Sequence, residues 1–199
     1  MAKRSSNYPV DALFLDRWSP RAFDGSQMPE HDLLTMFESA RWAPSAFNYQ
    51  PWRFVYAETG TAEFDRFCGL LMPFNSVWAQ KASVLIFVLS DTLIRTKPEA
   101  PEVVSHSHSF DAGAAWAMLA LQATRLGYHA HGMTGADFAR AREVLEAPER
   151  FRFEAAVAIG RLGDPAKLPD SLRSREVPSL RKNMDDLVFK GRFSATETS

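Results

Sequence analysis

The chain has 199 residues, 46% of them hydrophobic, and its 23 basic and 24 acidic residues leave a formal net charge of −1. This length suits one domain with a sizeable core, and the near-neutral charge offers no global attraction for nucleic acid or an anionic membrane. The single cysteine, Cys68, excludes an intramolecular disulfide and a cysteine-rich metal site, and it favours a reducing, intracellular compartment. No apolar run follows Lys3 and Arg4, so we predict no signal peptide and expect a cytoplasmic protein.

The first half of the sequence predicts short helices around two strands. A short helix is expected over residues 11–17, and a second helix opens at Pro29 with an apolar stripe. Phe, Val and Tyr predict a strand over 53–57, and Thr61 can cap the helix that follows it. The unbroken apolar run over 83–90 is typical of a strand buried on both faces.

A long central helix is the main prediction for the second half. After a proline-containing loop over 91–104, residues 110–127 are rich in Ala, Leu, Met and Trp. Asp111, Gln122 and Arg125 leave too few consecutive apolar residues for a membrane span of roughly 20 residues. The segment is therefore predicted to be a helix that is apolar, and buried, on nearly all its faces.

The remaining elements complete one domain. Residues 128–135 contain two more glycines and are predicted to form a loop, Asp137 can cap a helix that ends near Leu145, and 151–161 predicts a strand. From about residue 165 the sequence is a polar, irregular, basic tail. No repeat or shift in composition marks a boundary, so we predict a single domain over 1–199, either α+β or a three-layer α/β sandwich.

Two guanidinium groups flank a hydroxyl in the segment Arg17-Trp18-Ser19-Pro20-Arg21. A guanidinium binds a phosphate in bidentate fashion, so the spacing favours a phosphorylated, partly anionic ligand. The alternative is a surface turn on which both arginines are solvated.

The second informative segment runs over residues 43–54 and combines a hydroxyl, amides and aromatic rings in one loop before a strand. Flat apolar surface with a few orienting polar groups is typical of a ligand pocket. The small side chains of Ser45 and Ala46 permit close approach of a flat ring, and the amides of Asn48 and Gln50 can hold the loop. The alternative is a rigid turn bracketed by prolines.

Together, the two segments resemble the FMN-dependent nitroreductase family. The first matches its Arg-x-Ser-x-Arg/Lys element, and Pro44 to Trp52 matches its Pro-Ser-x-x-Asn-x-Gln-Pro-Trp pattern. The resemblance covers residues 17–188 and implies an α+β, three-layer sandwich with a central, mostly antiparallel sheet and a long buried central helix. It also implies a homodimer with two FMN sites at the subunit interface.

The resemblance assigns roles to both segments. Arg17 and Ser19 would hold the FMN phosphate, Trp18 would belong to the same cofactor-binding segment, and Arg21 would reach the pyrimidine edge of the flavin. The second loop would reach a flavin held largely by the other subunit, through four residues: Pro44, Ser45, Ala46 and Asn48.

Further positions follow from the resemblance. Asn75 matches an asparagine that bonds the O2/N3 edge of the flavin, although a helix N-cap is an alternative. Trp78 stands where many members carry a lysine, which would leave Arg21 as the main cation near N1. Thr134 and Gly135 match a loop whose glycine amide donates to flavin N5, with an ordinary turn as the alternative. Arg181 matches a basic residue that returns to the phosphate; otherwise it is a solvated charge of the tail.

The implied activity is transfer of hydride from NAD(P)H through flavin N5 to an oxidised small-molecule acceptor such as a nitroaromatic or quinone, in ping-pong order. The alternatives are a non-catalytic flavin-binding or storage protein, a dehalogenase, or a flavin-fragmenting enzyme on the same fold. Two His-x-His pairs, His106/His108 and His129/His131, have a spacing that can bind metal. Because no cysteine accompanies them and nearby acids are scattered, we expect helix-end and loop-surface roles.

Overall fold

The computed structural model describes residues 4–193. Its strands, in chain order, are β1 (Trp52–Glu58), β2 (Val84–Asp91), β3 (Leu93–Ile94), β4 (Val103–Val104), β5 (His129–Met133) and β6 (Phe151–Gly160). Its α-helices are α1 (Ala12–Asp16), α2 (Glu30–Arg41), α3 (Ala62–Cys68), α4 (Pro73–Ala79), α5 (His108–Arg125), α6 (Phe138–Val144) and α7 (Asp170–Arg173). Short 3-10 turns cover Ala46–Asn48, Pro165–Lys167 and Met184–Asp186.

A four-stranded sheet forms the middle layer, with strand order β1-β2-β6-β5 and antiparallel pairing throughout. Every residue of β2 is buried, as its unbroken apolar sequence predicts. Leu85, Phe87 and Leu89 belong to one hydrophobic cluster, together with residues of α3, α4 and α6. The alternate residues of β2 belong to a second cluster with α2 and α5. The α+β, three-layer architecture is thereby confirmed.

Helix α5 is the long central helix that the sequence predicts, and it packs against α2 and the sheet. Its buried side consists mainly of alanines, which allow close approach to those neighbours. Its opposite side carries Phe110, 82% exposed, and Met118, 36% exposed. The helix is therefore buried on one side within a single chain, and not on nearly all sides as its composition predicts. Gly127, with φ of +80°, ends it in the left-handed conformation that glycine permits.

Two elements differ from the sequence predictions. The predicted loop over 128–135 contains β5, which within residues 4–193 pairs with β6 alone and so forms an edge of the sheet. Gly132 leaves room for the neighbouring indole, since a Cβ at this position would lie 3.2 Å from Trp116. Helix α4 is also absent from the sequence predictions, although Pro73 in its first turn is a signal for a helix start. Within residues 4–193, no helix is both long and apolar enough to cross a membrane.

Candidate functional site

A cleft of about 860 Å³ lies between α5, β5 and the first arginine segment. Pockets for small ligands and cofactors typically enclose roughly 300–1,000 Å³. Helix α5 supplies a wall that includes Trp116 and Leu121, and Arg17 and Ser19 line the cleft together with Asn75 of α4. The last wall is the run from His131 to Gly135. Five residues predicted from the sequence meet here: Arg17, Ser19, Asn75, Thr134 and Gly135.

Positive charge is concentrated around Arg17. Its guanidinium donates to the hydroxyl of Ser19, with Nη1 and Oγ 3.3 Å apart. Burial lowers the pKa of Arg17, and the charges of Arg181 and Arg4 lower that pKa further. Among the described residues, no carboxylate forms a salt bridge with these three arginines. Because guanidinium groups stay charged near neutral pH, the cluster favours an anionic ligand.

Two residues that sequence reasoning missed hold the arginine segment in place. Glu176, only 5% exposed, accepts hydrogen bonds from the backbone N–H of Arg21 at 2.8 Å and of Ala22 at 2.8 Å. Arg4 donates to the carbonyl oxygens of Arg17, at 2.7 Å, and Ser179, at 3.1 Å. The tail is thus attached to the segment that lines the cleft. A lone glutamate in a polar tail gives no sequence signal for such a role.

Asn75 and Gly135 meet at the opposite end of the cleft. The Asn75 side chain donates from Nδ2 to the carbonyl oxygen of Gly135, 3.0 Å away. A Cβ on Gly135 would lie 2.5 Å from that nitrogen and 2.6 Å from Phe74, so a larger residue would force both side chains, or the loop, to shift. Asn75 is the third residue of α4, and Met72 is the N-cap, so the N-cap alternative for Asn75 is wrong.

The backbone N–H of Gly135 makes no hydrogen bond with any described residue. Its carbonyl oxygen, by contrast, accepts from the N–H of Met72 at 3.0 Å as well as from Asn75. Gly135 itself is half-buried and lines the cleft. In a cleft wall, such a donor is available to a ligand.

His131 lies in the β5 wall of the cleft. Its Nδ1 lies 2.8 Å from the carbonyl oxygen of Pro20, so Nδ1 carries the proton of this contact. The imidazole packs on Trp78, with ring centroids 4.7 Å apart. Burial lowers the pKa of His131 to about 4, and the charges of Arg21, Arg17 and Arg175 act in the same direction. The imidazole is therefore neutral near pH 7.

Arg21 and Trp78 share a second cavity of about 580 Å³ and do not line the cleft itself. Burial lowers the pKa of Arg21, and the charge of Arg175 lowers it further. Trp78 is 2% exposed, and its indole N–H has no hydrogen-bond partner among the described residues. Trp78 does not line the cleft, but it packs against His131, which does.

The loop from Pro44 to Trp52 does not line the cleft of its own chain. The N–H of Ala46 donates to Asp111 at 3.2 Å, which attaches the loop to the first turn of α5. The cleft-lining residues of this helix, from Trp116 to Leu121, lie about 8–15 Å further along it at ~1.5 Å per residue. Pro44, Ser45, Ala46 and Asn48 are thus separated from the other predicted site residues within one chain.

Hydrogen bonds within the loop hold an unusual backbone. Ser45 Oγ accepts from the N–H of Gln50 at 2.9 Å, and Gln50 donates from Nε2 to the carbonyl oxygen of Asn48 at 3.0 Å. Phe47, Asn48 and Gln50 have φ of 54°, 52° and 54°, a region that is strained for residues other than glycine. Phe47 is also 80% exposed. Strain of this kind concentrates at functional sites.

Two further predicted residues lie beside the cleft. Trp18 is 8% exposed and packs edge-on against His129, with centroids 6.0 Å apart, so its ring is part of the core. Arg181 is exposed and donates to Ser179 within the tail, yet its positive charge lowers the pKa of Arg17.

The histidine pairs do not converge. His106 is exposed, and His108 lies 2.7 Å from the hydroxyl of Ser90, which also donates to Glu154. Among residues 4–193, no three His, Cys, Asp or Glu side chains come together as a metal site.

The profile of the nitroreductase family matches residues 15–161. The chain belongs to the nitroreductase family. The matched stretch contains every predicted site residue except Arg181. It also contains His131 and Trp78, whose contact is described above.

Individual proteins show the same relationship. A solved structure described as an oxidoreductase containing FMN has 55% sequence identity and a TM-score of 0.94, with 97% of each chain covered. An uncharacterised 15.4 kDa protein of Mycolicibacterium smegmatis is 33% identical over 138 residues, covering 69% of this chain and 88% of that protein. A CLA biosynthesis enone reductase from Lactiplantibacillus plantarum is 26% identical over 189 residues, covering 78% of this chain and 86% of that protein.

Proposed function

We propose that this nitroreductase-family chain binds FMN in its cleft and catalyses NAD(P)H-dependent reduction of an oxidised acceptor such as a nitroaromatic or a quinone. One observation carries the proposal: the cleft has uncompensated arginines at one end and the Asn75–Gly135 contact at the other. The FMN in the structure that is 55% identical supports the choice of cofactor.

The residues present fit a flavin mononucleotide. Arg17 and Ser19 would hold the phosphate, with the charge of Arg181 nearby. At the other end, Oδ1 of Asn75 receives no hydrogen bond from the described residues and can accept one from the ring edge. The unpaired N–H of Gly135 would donate to N5. The wall from α5 supplies apolar surface, including Trp116 and Leu121.

FMN supplies the redox chemistry, since its N5 accepts and returns hydride, and the protein contributes binding, orientation and electrostatics. A neutral donor such as the Gly135 N–H can favour the reduced ring without adding a titratable acid. The sequence contains no Gly-x-Gly-x-x-Gly fingerprint for a resident dinucleotide. We therefore propose ping-pong order, in which the nicotinamide leaves before the acceptor enters.

We also propose that two chains form the active unit. The outer side of α5 exposes Phe110 and Met118, and Phe47 is exposed in the strained loop nearby. Exposed apolar surface of this kind favours association. A homodimer would bring the loop with Ser45 to the cleft of the other subunit.

The cofactor is tested by purifying the protein, releasing the bound flavin and identifying it by mass spectrometry. FMN in near-stoichiometric amount is expected, and FAD or no flavin would contradict the proposal. Anaerobic addition of NADH or NADPH should then bleach the flavin absorbance, and a nitroaromatic or quinone should restore it. A bound flavin that neither nicotinamide reduces would favour the non-catalytic alternative. Enones belong in the acceptor panel because one relative is an enone reductase.

The homodimer is tested by light scattering on the FMN-loaded protein. A mass near twice 22.4 kDa is expected. Phe110→Asp should shift the equilibrium toward monomer, whereas Val104→Asp, at a residue 77% exposed outside α5, serves as the matched control. A stable monomer that retains FMN would contradict the proposal.

A further inference from the structure

His131 lies between the two ends of the cleft. Pro20, whose carbonyl oxygen accepts from its imidazole at 2.8 Å, directly follows Ser19 at the arginine end. Along β5 and the residue after it, His131 precedes Thr134 by about 10 Å at ~3.3 Å per residue. The imidazole therefore lies between the two ends, closer to the arginine end than to the Gly135 end.

The geometry fixes which hydrogen-bonding group the imidazole offers. Because the Pro20 carbonyl can only accept, Nδ1 carries the proton, and Nε2 of the neutral ring is an acceptor. No described residue donates to Nε2. The Trp78 ring, 4.7 Å away, restricts rotation of the imidazole. The chain thus presents a fixed, neutral acceptor in the cleft wall.

We propose that His131 is a positioning residue whose Nε2 accepts a hydrogen bond from a hydroxyl of the polyol chain that joins the phosphate of FMN to its ring. This inference rests on the proposed function and adds a contact that holds the middle of the cofactor. A hydroxyl is the donor that fits, since a phosphate dianion has no proton to donate.

The competing role is a protonated His131 that donates to the phosphate. The charged groups that face His131 are the guanidinium groups of Arg17, Arg21 and Arg175, all of which oppose its protonation. Burial opposes it as well. The acceptor role is therefore the one that the surroundings support.

The direct test is ¹⁵N NMR of histidine side chains in the wild-type apoprotein, then in its complexes with two flavins. The first flavin is FMN, and the second carries the same phosphate on a hydroxyl-free alkyl chain at N10. The Nε2 resonance of His131 should have the shift of an unprotonated nitrogen and move on binding FMN, but not on binding the analogue. Equal movement with both flavins, or with neither, would overturn the inference.

Variants give a second, independent readout by flavin fluorescence titration. His131→Asn keeps an N–H for Pro20 and lacks the cleft acceptor, whereas His131→Gln can place its amide oxygen near the position of Nε2. His131→Asn should weaken FMN binding roughly fivefold to tenfold, as expected for one hydrogen bond, and His131→Gln should lose less. Affinity for the analogue should be unchanged in both, with thermal melting of the apoproteins as the check on folding.

Equal losses for FMN and the analogue would mean that His131 only shapes the cleft, and unchanged FMN affinity in His131→Asn would also overturn the inference. Failure of the proposed function gives a different result, because the wild-type protein would then bind neither flavin.

Discussion

The side-chain nitrogen of Asn75 lies 3.0 Å from the carbonyl oxygen of Gly135, and this contact joins α4 to the loop after β5. The two residues are 60 positions apart in sequence, so tertiary folding alone brings them together. Since the same carbonyl also accepts from Met72, both lone pairs of Gly135 are used by the protein. The amide and the glycine therefore position each other.

Gly135→Ala should disrupt this end of the cleft. The new methyl group would meet Asn75 at 2.5 Å and Phe74 at 2.6 Å, so both side chains, or the loop itself, must move. We expect a loss of FMN affinity of at least tenfold, measured by fluorescence titration. Glu149→Ala, at an exposed residue outside α5 and the cleft, is the control. Unchanged affinity in Gly135→Ala would argue against a flavin at this end.

Arg17→Ala should weaken FMN binding by about 1.5–3 kcal/mol, the range for a charge-assisted hydrogen bond. The reason is that Arg17 lines the cleft with its charge uncompensated by any described acid. The dependence of affinity on salt should also become shallower. Arg140→Ala, at an exposed residue of α6, is the matched control. If both variants bind FMN like the wild type, Arg17 does not hold the phosphate.

The apoprotein should lose stability as the pH falls from about 6.5 toward about 4, the ordinary and the folded-state pKa of His131. The unfolded chain takes up this proton first, so acid favours unfolding across that window. The contribution amounts to about 2 kcal/mol by pH 5. Urea unfolding at pH 7.5 and pH 5 measures it, and His131→Asn should lose less than the wild type.

Other groups also titrate in this range, and His129, whose pKa burial lowers, contributes in the same direction. The comparison therefore depends on the difference between wild type and variant. His106→Asn, at an exposed histidine, should behave like the wild type. An identical pH dependence in His131→Asn would show that His131 titrates normally.

Glu176→Ala should destabilise the protein by about 1.5–3 kcal/mol, because the backbone N–H groups of Arg21 and Ala22 would lose a charged acceptor. FMN affinity should fall too, since the same segment carries Arg17. Glu149→Ala, at an exposed glutamate, is the control in urea unfolding. Wild-type stability in Glu176→Ala would mean that the tail does not support the arginine segment.

Much of the fold could be predicted from the sequence because its signals are local. The apolar run of β2, the Thr61 cap of α3 and the Gly127 end of α5 each identify an element without reference to its neighbours. Strand β5 could not be predicted in this way, since its glycine and alanine are poor strand formers in isolation. Its pairing with β6 overrides that local preference.

The site residues differ in the same way, between those with a local sequence motif and those that depend on a long-range contact. Arg17, Ser19, Asn75 and Gly135 were found through motifs, and they meet in the cleft. Glu176, Arg4 and the acceptor face of His131 could not be found, because each depends on a contact with backbone far away in sequence. Trp78 is a related case, since its role of packing against the His131 imidazole depends on a residue distant in sequence.

The hydrogen bond between Glu176 and the backbone N–H of Arg21 joins residues 155 positions apart. It can therefore form only after the ribosome has synthesised nearly the whole chain. At ribosomal speeds of roughly 5–20 residues per second, the later residue is synthesised on the order of 10–30 s after the earlier one. During that interval the arginine segment exists without its contact to Glu176. If the cleft binds FMN as we propose, capture of the cofactor is consequently a late event for each new chain, and translational stalling between these two residues would leave the arginine segment without this support.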